Sequence, residues 1–252
     1  MSCFLYCIFG AKGPAVPKDL EGVGGAPISV VTHRGLGAAV STVAQAAFPR
    51  DFAAVRAHGR VVAAFHQDRT VVPMRFGCLL EHEDRVARLL KEGAGKYRGL
   101  LQELHGCTEM GIRLLLPPGN RASGDTLPAP GRLPPAGQGA ALGSSGAAYL
   151  QTRKLSYDQQ DREAETHRQI TGRCLDHFRG IFKKFRIETN YSGWPLLSLY
   201  FLVPQSSLAA FCLAFRTLSP APGAKVLLSG PWPPYSFVTE APAPLPESAR
   251  EP

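Results

Sequence analysis

Long apolar runs are scarce in this 252-residue sequence. None reaches the roughly 18 uninterrupted apolar residues that a membrane-spanning helix needs. The start, "MSCFLYCIFGAKG", is apolar but short, with no basic segment before the apolar run and no small-residue cleavage site. A cytoplasmic protein without a membrane span is expected. The six cysteines, Cys3, Cys7, Cys78, Cys107, Cys174 and Cys212, include no CxxC pair, which argues against a zinc knuckle or a thioredoxin-type redox site. They read as buried free thiols in a reducing compartment. Cys3 and Cys7 lie four apart in a strand-like run, so both are expected on one face. There is no GxGxxG after a strand, no Walker A sequence, no GxSxG and no HExxH. No repeat of the solenoid kind is present.

What is present is an ordinary globular composition, 44% apolar, in a chain long enough to bury a core without disulfides or metals. The net charge of +8 is spread through both halves, which favours solubility and does not by itself indicate nucleic acid. Gly, Pro, Ala and Ser dominate between Pro117 and Gly146. Such a composition cannot offset the entropy of ordering, and it reads as a flexible linker over 117–146 between two α+β domains, 1–116 and 147–252.

In the first domain, "CFLYCIF", "PISVVTH" and "LGAAVSTVA" read as strands by their apolar and aromatic content. Phe52, Val55, Val62 and Phe65 predict a helix with one buried stripe. A short strand "TVVPMRFG" follows, then an amphipathic stretch through Val86–Leu104 that glycines at 93, 95 and 99 divide or kink. "TEMGIRLLLP" closes the domain as a strand, giving a sheet with helices on one face.

The second domain is expected to open on a long helix, 147–185. Its first half is polar all round, and its second half carries the stripe Ile170, Cys174, Phe178, Ile181, Phe182 and Phe185. "LLSLYFLV" is apolar on both faces and reads as a central strand. A helix through Leu208–Leu218 and a last strand "AKVLLSG" complete a small layer of ferredoxin-like type.

Chemistry-bearing clusters are thin. His58 and His66 are eight apart on one helix, too far for a two-ligand metal face. His82 lies in "LEHEDR", where a solvated helix start explains the acids better than a metal does. Arg75, between Pro73 and Gly77, could grip a partner's carboxylate or carbonyls, or form an internal ion pair that fixes the turn. Arg179, Lys183, Lys184 and Arg186 could touch phosphates, but no stacking aromatic motif accompanies them, and a solvated face is the simpler reading.

Near the end, "GPWPPYSFV" packs three prolines and three large aromatics into nine residues. Proline excludes a helix interior and a central strand. It also holds the chain extended with little entropy to lose, so Trp232, Tyr235 and Phe237 can lie on a groove at low cost. The strip could clasp its own domain boundary or dock a hydrophobic partner.

Four stretches in order, "VVPMRFG", "EMGIRLLLP" after "LHG", "AAYLQTRK" and "SGPWPPYSF", resemble gas vesicle accessory proteins of the GvpL/GvpF family. The resemblance covers both halves of the chain. It implies two α+β domains, the second modified ferredoxin-like. It implies a minor structural or assembly-chaperone role in gas vesicles, hence in buoyancy, with no catalysis, no metal and no cofactor. It also implies binding to the hydrophobic shell protein GvpA and to other accessory proteins. A cytoplasmic and gas vesicle location follows, with the gas-facing side of the shell as one place. Pro73, Arg75, Gly77, Trp232, Tyr235 and Phe237 are the implied signature or partner-binding positions. The polar arm, 150–169, is a further candidate contact. An RNA- or ligand-binding module on a ferredoxin-like sheet is the alternative.

Overall fold

The first strand, β1 (Ser2–Gly10), is apolar at nearly every position and buried along its length. A strand apolar on both faces needs cover on both faces. In this computed structural model it receives both. The structure describes residues 2–12, 20–43, 51–115, 153–154, 164–190, 196–220 and 223–238, with only the backbone at 189–190.

β1 pairs antiparallel with β3 (Leu36–Val43) on one side and with β4 (Val71–Pro73) and β5 (Leu79–Leu80) on the other. β2 (Ser29–His33) adds to β3, giving the order β2-β3-β1-β4. On one face lies α1 (Phe52–Asp68), packed on Phe4, Tyr6, Cys7 and Phe9. On the other, α2 (Glu83–Glu92) and α3 (Ala94–Glu103) cover Cys3, Leu5 and Ile8. The expected one-sided helical layer is therefore two-sided. The expected shared face of Cys3 and Cys7 is also corrected. The β1–β3 register shifts between Leu5 and Cys7, so Tyr6 and Cys7 both turn toward α1 while Cys3 stays on the α2–α3 side.

Asp51 caps α1, its carboxylate accepting from the Ala54 amide at 2.8 Å. The buried stripe runs through Ala54, Ala57, His58, Val61, Val62 and Phe65. Two expected members, Phe52 and Val55, are exposed. The alanines at 54 and 57 let the helix approach the sheet closely and rotate the larger pair outward. α2 and α3 are two helices divided at Gly93, as the glycine spacing predicts.

The strand expected to close the first domain does not pair there. β6 (Cys107–Leu115) is central in a second antiparallel sheet, between β8 (Leu196–Pro204) and β9 (Lys225–Trp232), with β7 (Lys184–Asn190) outside β8. Its partners are far downstream, and sequence neighbours are only usually neighbours in space. β8 is central, as its two apolar faces predict. The expected helix to Phe185 stops short. Helical residues 164–177 form α4, the chain turns with the Ile181 amide donating to the Phe178 carbonyl, and "KFRIETN" alternates as β7. Most of 147–163 and all of the linker at 117–146 lie outside the described residues.

α4 and α5 (Leu208–Arg216) cover one face of this sheet. Phe178, Phe201 and Phe211 meet there with ring centroids 4.3–5.4 Å apart. The sheet's other face meets the first unit at one end, where Cys107, Leu202 and Phe237 join the core under α2 and α3. Among the described residues no helix is long and apolar enough to cross a membrane.

Candidate functional site

The proline and aromatic strip starts as the end of β9 and leaves it. Pro231 is tolerated because β9 is an edge strand. Gly230 has φ 112°, and a Cβ there would meet the Glu109 carbonyl at 2.7 Å and the Met110 sulfur at 2.9 Å. Only glycine fits this approach. The Thr108 hydroxyl then donates to the Trp232 carbonyl at 2.8 Å.

Beyond Trp232 the chain is tied to β6 by one carboxylate. Glu109 is buried, and it accepts from the Ser236 amide at 2.7 Å and from the Ser236 hydroxyl at 2.9 Å. Burial raises its pKa, and these two hydrogen bonds oppose that rise. So anchored, the strip spreads its rings over the first unit. Phe237, 5% exposed, enters the core of Leu5, Leu104, Cys107 and Leu202. Tyr235 packs on the α1-side core, its ring 6.4 Å from His58.

His58 is the hub of an aromatic cluster. Its ring stacks on Tyr6 at 5.5 Å and meets Phe4 and Phe76 edge-on at 5.6 and 5.8 Å. Its Nε2–H donates to the Met74 carbonyl at 3.1 Å, since a carbonyl can only accept, while Nδ1 is buried with no partner among the described residues. Burial lowers its pKa and the bond to Met74 partly restores it. The Tyr6 hydroxyl accepts from the Val23 amide and shares a hydrogen bond with Ser41, both at 2.8 Å.

The turn after β4 supplies Met74 and Phe76. Pro73 is buried at the end of β4, opposite Cys7. The Cys78 amide donates to the Arg75 carbonyl at 3.3 Å, and Gly77 holds φ 89° at the third position, as a type II turn requires. Arg75 is exposed, and no ion pair of its side chain appears among the described residues. The six sequence-predicted positions thus divide. Tyr235 and Phe237 build one seam between the units, Pro73 and Gly77 belong to the end of β4 and the exposed turn after it, and Arg75 and Trp232 face outward. Glu109, His58 and Tyr6 complete the seam and were not anticipated. A single acid inside the apolar run "CTEMGIRLLL" was the available signal for Glu109.

Trp232, 52% exposed, pairs with Glu109, and Leu227, 60% exposed, pairs with Arg113. Directly paired residues share a face, so both stand on the side of the sheet away from α4 and α5. The basic run does not form one helical face. Arg179 pairs with Asp176, and Lys184 reaches Glu103 at 2.7 Å from β7.

The gas vesicle synthesis protein GvpL/GvpF family matches residues 2–239. The chain belongs to this family. Gas vesicle protein L of a Streptomyces species is 26% identical over 257 residues, covering 93% of this chain and 91% of that protein. Gas vesicle protein F2 of Halobacterium salinarum is 28% identical over 225 residues, covering 87% and 84%. In three dimensions the chain is similar to the crystal structure of GvpF from an Anabaena species, with TM-score 0.71 at 16% identity over 95% of this chain and 97% of that one. GvpF from Microcystis aeruginosa gives 0.66 at 13% identity, covering 95% and 99%. The α+β fold of two antiparallel sheets is that of the GvpF structures.

GvpL/GvpF proteins are a gas vesicle family rather than an enzyme family. The local chemistry of this member suits structure. Burial raises the pKa of the Cys7 thiol and pushes that of Cys174 up to about 11, which keeps both protonated near neutrality. Beside α1, Glu21, Gly22, Asp51 and Arg60 line an open depression of about 270 Å³.

Proposed function

We propose that this chain supports gas vesicle formation as an assembly partner that binds the hydrophobic shell protein GvpA. The observation carrying this reading is the exposed pair Leu227 and Trp232 on the sheet face away from α4 and α5. A free, very hydrophobic subunit aggregates. A soluble protein that shields apolar surface on a rigid sheet would hold it until it joins the wall. The seam supplies the rigidity, because Tyr235 and Phe237 fix the chain immediately after Trp232. Arg75 and the polar arm at 150–169 are positions for other accessory proteins. Residence at the gas vesicle, with the gas-facing side of the shell as one place, belongs to the same proposal. So do the absence of catalysis and the two-domain division. In that division the second domain takes β6 with the later elements, and their β-α-β-β-α-β order suits a modified ferredoxin-like unit.

Co-purification with GvpA tests the reading. Leu227→Ser with Trp232→Ala should abolish capture while the thermal melt stays within a few degrees of the parent. Capture that survives the double substitution would place the shell contact elsewhere.

A further inference from the structure

The second sheet ends in two unlike edges. β9 carries Pro231, and its pairing with β6 shifts register between Glu109 and Gly111. Both features discourage another strand from adding. β7 has neither. Its register with β8 is unbroken from Lys184–Leu202 to Asn190–Leu196, it contains no proline, and it is terminal in the strand order. Phe185 and Ile187 alternate on one of its faces and remain 41% and 43% exposed. On the other face stand Lys184, Arg186 and Glu188, with Glu188 accepting from the Tyr200 hydroxyl at 3.2 Å. Among the described residues no strand pairs with the outer side of this seven-residue edge, which lies next to exposed apolar side chains.

We propose that β7 joins two copies of this chain, strand to antiparallel strand, about a twofold axis through Ile187. The charges of β7 select this occupant and this register. A twofold axis perpendicular to a sheet keeps each side chain on its own face, so only residues of like parity can pair. Centring on Ile187 sets Arg186 opposite Glu188 of the partner subunit, and does so twice. Phe185 falls opposite position 189 on the face that carries Ile187. Centring on Glu188 would set two carboxylates against each other on the axis, and centring on Arg186 would set two arginines there while leaving only Lys184, already bonded to Glu103 at 2.7 Å, to face Glu188. Pairing through Ile187 fuses two four-stranded sheets into one of eight, with α4 and α5 of both copies on one side. It leaves Leu227 and Trp232, at the opposite edge of each sheet, open.

Sedimentation velocity of the full chain across a micromolar concentration series tests this. The parent should pass from monomer to dimer. Arg186→Glu or Glu188→Arg alone should weaken association about tenfold or more, and the two together should restore it. Ile187→Lys, on an exposed side chain, should also give a monomer, with circular dichroism and melts showing that the fold persists. A parent that is monomeric throughout overturns the proposal, as does dimerisation indifferent to the single exchanges or not recovered in the double. A monomeric parent whose β7 amides become protected from exchange only with GvpA would assign the edge to that partner instead.

Discussion

Replacing Phe237 with alanine tests whether the chain's last described residues hold the two sheets together. Phe237 is 5% exposed and lies among Leu5 from the first sheet, Leu104 after α3, and Cys107 and Leu202 from the second. Truncating a buried phenylalanine costs about 3–5 kcal/mol, from lost transfer energy and the cavity left behind. This site should sit toward the upper end, because its walls come from four separate elements and collapse of one cannot fill the space. For a chain of this size each kcal/mol moves the melting temperature by roughly 2–4 °C, so a loss of about 10 °C or more is expected. Chemical denaturation should give the same ranking, and amide exchange should rise in both β1 and β8. A change below about 1 kcal/mol would refute the reasoning, and so would a loss of protection confined to the C-terminal segment. Either result would mean that the strip covers the seam without stabilising it.

The sequence showed where strands and helices occur better than it showed their company. β1, β2 and β8 followed from apolar and aromatic runs, a local property, and β3 followed less clearly because alanine is a weak strand former. The placement of β6 did not, because its partners β8 and β9 start about 80 and 110 residues after it, by the bounds of the strands. The fate of Cys7 was hidden for a different reason. One bulge reverses the alternation of β1, and no residue type in "FLYCI" announces it. The Pro and aromatic strip was visible by composition, yet composition could not rank its rings. That ranking depends on Glu109, which fixes Ser236 and so buries Phe237 and half-buries Tyr235 while Trp232, still in the strand, stays outside. The seam was therefore half legible. Its prolines and aromatic rings stand out in one dimension, whereas His58, Tyr6 and Glu109 matter only for what surrounds them.

Two further outcomes are expected. Gly77→Ala should destabilise by about 1–2 kcal/mol, read in urea, because alanine must adopt a positive φ with no contact to compensate; an unchanged midpoint would show that the turn relaxes freely. Glu109→Gln should change how stability depends on pH. Burial holds the Glu109 carboxyl above its ordinary value, so the folded chain binds this proton more tightly than the unfolded chain does. Its contribution is fully present below the unfolded value near 4.5 and is lost as pH rises through the folded value. The parent should therefore lose stability relative to Glu109→Gln as pH climbs from about 4.5 toward neutrality, and parallel curves would refute the assignment. The same substitution replaces one of the two oxygens that hold Ser236 with an amide. A variant with flattened pH dependence and a loosened C-terminal segment would tie the charge and the seam to one side chain.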